Sequence, residues 1–99
     1  MGIKPGAAAR EIEKYRDDLK KSIFKRDWVA ALLNAGRLQG YLNAIEEHIS
    51  GEGRKLIYPE IDRVINCAMR KDREKCIINF TKLDAALVNE FRIPLNFKL

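Results

Sequence analysis

Between residues 7 and 25 the apolar positions Ile12, Tyr15, Leu19 and Ile23 recur at spacings of 3, 4 and 4. That is the period of an α-helix with one apolar stripe and charges on its other faces. A second helix is predicted over 28–49, with Ala31, Ala35, Leu38, Leu42, Ile45 and Ile49 on one face. Asp27 precedes it as an N-cap, directly after Lys25 and Arg26. SGEGRK, residues 50–55, has two glycines in three positions and reads as a loop. Pro59 then fits the first turn of a third helix over 59–70, with Glu60 and Asp62 near its positive end. Its stripe is Ile61, Val64, Ile65, Ala68 and Met69. Asp72 repeats the role of Asp27 before a fourth helix over 73–91, which buries Cys76, Ile77, Phe80, Leu83, Leu87 and Phe91. No segment reads as a strand, so the fold class is all-α: a four-helix antiparallel bundle or two tandem αα-hairpins.

Two segments depart from this pattern. Residues 1–6 read as a mobile leader. In 92–99 the apolar residues Ile93, Leu95, Phe97 and Leu99 alternate, and Pro94 pushes the chain into an extended path. An extended apolar tail needs a surface. The simpler reading is an open edge of its own bundle; the other is a second copy or a partner.

The second helix raises its own question. From Trp28 to Ala44 its only charge is Arg37. Gly36, Gly40 and Ala44 fall at i, i+4 and i+8 and form a small-residue groove open to close approach by another backbone. The helix is therefore central in its own bundle, the simpler reading, or Gly36 and Gly40 help form a dimer seam together with Leu95 and Phe97.

Aligning Asp27 with Asp72 gives an offset of 45. Asn34 then meets Asn79, Leu38 meets Leu83, Leu42 meets Leu87, and Arg37 meets Lys82. A duplicated αα-hairpin explains this, as do two helices under similar packing demands. Asp27, Trp28, Ala31 and Leu32, and again Asp72, Cys76, Ile77 and Phe80, resemble the start of the second helix of tetratricopeptide repeats. The offset is 45 where that repeat has 34, and Arg26 and Lys71 stand where it has Gly. Tyr15 to Ala44 is also similar to a small archaeal helical family of unknown function. Both resemblances imply a helical interaction module and bring no catalytic residue.

Ninety-nine residues make one domain, and 46% hydrophobic with 33% charged residues is a globular balance. No apolar run approaches membrane-spanning length, and MGIKPGAAAR lacks the apolar core of a signal. Two cysteines do not make a secreted disulfide scaffold. The expectation is a cytoplasmic protein with no membrane role.

The net charge is +5. If consecutive helices are antiparallel, the turns near 26 and 71 share one end. Lys20, Lys21, Lys25, Arg26, Arg70, Lys71, Arg73 and Lys75 lie there, against Asp27, Asp72 and Glu74. The rest of the chain balances, with 11 charges of each sign. This pole suits a phosphate-bearing or acidic partner. The same cations also stabilise the C-termini of their own helices, which is the plainer account. Only Phe24 and Trp28 are aromatic nearby, which serves single-strand recognition poorly.

Catalytic chemistry is thin. His48 is the only histidine, and Ile45 stands where a Glu-x-x-His metal pair needs its carboxylate. Cys67 and Cys76 flank the turn at 71 and 72, so a cross-hairpin disulfide is geometrically open, though Cys76 also fits the apolar stripe as a buried thiol. Ser22, Ser50 and Thr81 have no base nearby in sequence. Arg37, Gln39 and Lys82 imitate the buried anion clamp of small helical mutases, but the signature that class needs in helix one is absent. No metal and no cofactor is expected. The expected function is a non-catalytic helical adaptor or regulator, acting on a protein partner and as a homodimer, with nucleic-acid binding through the basic pole as the alternative.

Overall fold

The computed structural model describes residues 5 to 94. They form four helices, α1 (Pro5–Phe24), α2 (Trp28–Ala44), α3 (Gly51–Met69) and α4 (Arg73–Phe91), with one 3-10 turn at Glu46–His48. Among the described residues there is no strand. α1 packs on α2, α2 on α3, α3 on α4, and α4 returns to α1. The protein is an all-α four-helix bundle.

The two tight turns are built alike. After α1, Asp27 N–H donates to Ser22 O and Arg26 N–H to Ile23 O; after α3, Asp72 N–H donates to Cys67 O and Lys71 N–H to Ala68 O. Arg26 and Lys71 take positive φ, 58° and 57°. This is the Schellman ending of a helix, and the residue that completes it is also the cap of the next helix. Asp27 accepts from Ala30 N–H and Asp72 from Lys75 N–H, both at 3.1 Å.

The offset of 45 reaches further than the turns. Asn34 donates to Ser22 Oγ at 2.7 Å, and its counterpart Asn79 to Cys67 Sγ at 3.2 Å. Ile12 and Ile57, Leu19 and Val64, Ile23 and Ala68, Ala31 and Cys76, Ala35 and Phe80, Leu38 and Leu83, and Leu42 and Leu87 are all buried. The bundle is thus two hairpins of one design packed together.

α3 begins eight residues before the predicted start. SGEGRK is its first turn and not a loop. Ser50 is the N-cap, accepting from Gly53 N–H at 2.9 Å. Glu90, from the end of α4, accepts from Ser50 N–H at 2.8 Å and from its hydroxyl at 2.7 Å. The carboxylate answers the positive end of α3. At Gly53 a Cβ would stand 2.2 Å from Glu90 Oε1, so any larger residue there would push the Glu90 carboxylate off this cap. Pro59 lies inside α3, on its exposed side, and not in its first turn. Met69, read as part of the apolar stripe, is 66% exposed at the helix end.

α2 stops at Ala44, short of the predicted 49. The 3-10 turn that follows still brings Ile45 and Ile49 into the core. On its outer side Gly36 and Gly40 are exposed, and an added Cβ at either meets nothing within 4 Å. The small-residue groove therefore receives no helix of its own bundle, and the reading of α2 as central on that face is corrected. The inner face, Ala31, Ala35, Leu38 and Leu42, is buried as predicted.

The start of the tail closes its own bundle. Ile93 is buried, and Arg16 Nη1 donates to Pro94 O. Arg16 also pairs at 3.1 Å with Asp84, and both side chains are 3% exposed. This buried bridge joins α1, α4 and the tail. Leu95 and Phe97 lie outside the described residues.

Candidate functional site

The two turns meet at one end of the bundle. The Arg73 guanidinium lies over the Phe24 ring, 5.3 Å from its centroid, so the start of α4 touches the end of α1. Lys20 Nζ lies 5.6 Å from the same centroid. Both distances are within the range of cation–π attraction.

Of the eight predicted pole residues, Lys21, Lys25, Arg26, Arg70, Lys71 and Lys75 are exposed, and Arg73 is partly buried. Lys20 is only 6% exposed and is not a surface cation. Its ammonium lies at the Phe24 ring, whereas most lysines keep theirs in water. The surface pole is six exposed cations and Arg73, against Asp27, Asp72 and Glu74.

Two features shape what this pole can hold. Asp27 and Asp72 already accept from the first turns of α2 and α4. An anion arriving here meets side-chain cations first, with one amide of each helix end already taken by its Asp cap. A cluster of flexible cations fits an extended acidic chain better than one buried phosphate. Second, Arg26 and Lys71 stand where a left-handed backbone favours glycine. A side chain there costs roughly 1 kcal/mol, yet both positions carry cations. Arg92, at the end of α4, has the same φ, 59°, and a cation after a helix also answers that helix's dipole.

The other sequence candidates are dispersed. Gly36 and Gly40 continue an outer stripe of α2 whose upper part is Val29, 72% exposed, and Leu33, 56% exposed. His48 lies 3.6 Å from Glu47 on the 3-10 turn. Cys67 and Cys76 are free, buried thiols. Burial, helped by the neighbouring Cys67, pushes the Cys76 thiol up to about 12. Among the described residues no group of three or more His, Cys, Asp or Glu is arranged to hold a metal ion. No helix among them is long and apolar enough to cross a membrane.

Sequence reasoning missed Arg16 and Asp84. The signal was present: Arg16 lies between Ile12 and Leu19 on the α1 stripe, and Asp84 between Phe80 and Leu87 on that of α4. Two opposite charges on core-facing stripes are a buried pair in waiting. It also missed Glu60, which is 8% exposed, takes one hydrogen bond from Arg63, and has no partner at Oε2.

No protein-family model matches the sequence, and neither a curated protein nor a solved structure matches it.

Proposed function

We propose that this chain is a non-catalytic helical interaction module, an adaptor or regulator that receives an acidic partner on its basic pole. The observation that carries this is the Arg73–Phe24 contact, which joins two cationic turns into one surface. The cations at Arg26 and Lys71, held against the local backbone preference, support the same reading. So does the resemblance to tetratricopeptide hairpins, whose role is to hold partners. The solvent-facing stripe Val29, Leu33, Gly36 and Gly40 supports self-association as a homodimer. Two free thiols support a cytoplasmic setting.

Nucleic-acid accessory binding is the second reading, favoured by the same cations. Titrating duplex and single-stranded nucleic acid and an acidic peptide against the protein at several salt concentrations separates the two. The proposal expects the peptide to bind at least as well as either nucleic acid. Nucleic acid bound far more tightly, with a steep salt slope, replaces it with the second reading.

A further inference from the structure

The two hairpins share one design, and one place where they differ leaves a groove. In the first hairpin Tyr15 and Tyr41 pack together between α1 and α2, ring centroids 5.7 Å apart and tilted by 51°. The offset of 45 puts Glu60 and Ala86 at the equivalent positions between α3 and α4. With no rings to fill it, that space is a groove of about 570 Å³, whose lining includes Leu56, Pro59, Glu60, Ala85 and Ala86 together with the cations Lys55, Arg63 and Lys82. The volume is that of a small-ligand or side-chain pocket.

The lining defines what fits. Leu56, Pro59, Ala85 and Ala86 are apolar, and Leu56 is 54% exposed although large. Lys55, Arg63 and Lys82 set three cations around the groove against the single carboxylate of Glu60. Glu60 is 8% exposed as a residue and 11% over its side chain, and its Oε2 has no hydrogen-bond partner. A buried acceptor without a donor is a costly arrangement that a donor relieves.

We infer that the α3–α4 groove is a second binding site, which takes an aromatic side chain with a hydroxyl donor, a tyrosine, flanked by acidic residues on a partner protein. The ring occupies the volume that Tyr15 and Tyr41 occupy in the other hairpin. Glu60 Oε2 is closed off in this conformation, so the phenol hydroxyl donates to it once the carboxylate turns outward. The flanking carboxylates meet Lys55 and Lys82. The site is separate from the basic pole, since Arg63 is seven residues, roughly 10 Å of helix, from Arg70. At physiological salt that exceeds the screening length of about 8 Å.

The test titrates a labelled peptide, one tyrosine between two pairs of glutamates, into the full chain at physiological salt. Saturable binding is expected, weakened roughly tenfold or more when the peptide tyrosine is replaced by alanine. Ala86→Tyr, which restores the ring of the other hairpin, should weaken it as much while leaving the helical spectrum unchanged. The double variant Lys55→Glu/Lys82→Glu, at two exposed positions, should do the same and decides the matter if Ala86→Tyr does not fold. Reversing Lys25, Arg26, Arg70 and Lys71 removes any binding of the glutamates to the pole and should leave the tyrosine-dependent part of the binding intact, so failure of the pole proposal and failure of this one are distinguishable. Equal binding of the alanine peptide, unaltered binding by the filled or reversed groove, or no binding at millimolar peptide overturns the inference.

Discussion

Arg73 stacks on the ring of Phe24 across 49 residues of sequence, 5.3 Å from its centroid, and holds the first turn of α4 against the last turn of α1. With Lys20 on the same ring, Phe24 is the keystone of the basic pole. Phe24→Ala removes two cation–π contacts and a partly buried ring, and should cost about 1–3 kcal/mol. Arg73→Gln should cost less, about 0.5–1 kcal/mol. Urea unfolding measures both.

The two turns share one hydrogen-bond pattern, so their substitutions should behave as pairs. Asp27→Ala and Asp72→Ala should each cost about 1 kcal/mol. Arg26→Gly and Lys71→Gly relieve positive φ and should be neutral or stabilising by up to about 1 kcal/mol. The same two glycine variants should weaken binding of an acidic peptide. Stability and binding moving in opposite directions is the signature of residues kept for charge. Denaturant midpoints and peptide titrations read the two effects separately.

Glycines distinguish the faces of the bundle. Gly40→Leu adds a side chain where a Cβ meets nothing, so the monomer should gain about 0.5–1 kcal/mol of helix propensity. The small-residue groove read from the sequence suggests damage to folding or assembly instead. If α2 forms a dimer seam, the same change should dissociate it in sedimentation experiments. Gly53→Ala is the opposite case. Its Cβ would collide with the Glu90 carboxylate, and the loss of that cap should cost about 1–3 kcal/mol.

Arg16 and Asp84 form a pair that is costly to break and dispensable as a whole. Asp84→Asn leaves Arg16 with Asp17 as its remaining carboxylate and should cost about 1–3 kcal/mol. Arg16→Met removes the links to Asp84 and to Pro94 O together and should cost more, about 3–5 kcal/mol. Ile61 occupies the position equivalent to Arg16 in the second hairpin. Arg16→Ile with Asp84→Leu should recover much of the loss. The double-variant cycle should therefore be far from additive.

Stability should fall in alkali. Folded Cys76 keeps its proton to about 12, against about 9 for an ordinary thiol, because burial disfavours the thiolate. The unfolded chain loses that proton first. The contribution is complete below pH 9 and is lost as pH rises from there toward 12. Burial also raises Tyr41 and Tyr58, which act in the same direction. Cys76→Ala, matching Ala31 in the first hairpin, should flatten this decline without removing it. A series of urea midpoints from pH 7 to 11 tests the sign.

The apolar period made α1, α4 and the inner face of α2 legible, because those helices bury one stripe each. The first half of α3 was hidden, since its cap depends on Glu90, 40 residues away, and its glycines look like a loop. Applying the offset of 45 to the start of α1 would have pointed to residues 50–52. The shared end of the two turns was legible from the short connections. The burial of Lys20 was not, because it depends on the Phe24 ring. The α3–α4 groove is the absence of two rings, visible only against Tyr15 and Tyr41 in the folded first hairpin.

The most direct test of the basic pole is the affinity of a labelled polyglutamate peptide across a salt series. It compares the native chain with the variant carrying Glu at 25, 26, 70 and 71. A control reverses four exposed cations elsewhere: Arg10, Lys14, Arg37 and Arg92. The pole predicts saturable binding that weakens as salt rises, is lost in the pole variant and survives in the control. Equal loss in both variants, or unaltered binding in the pole variant, contradicts it.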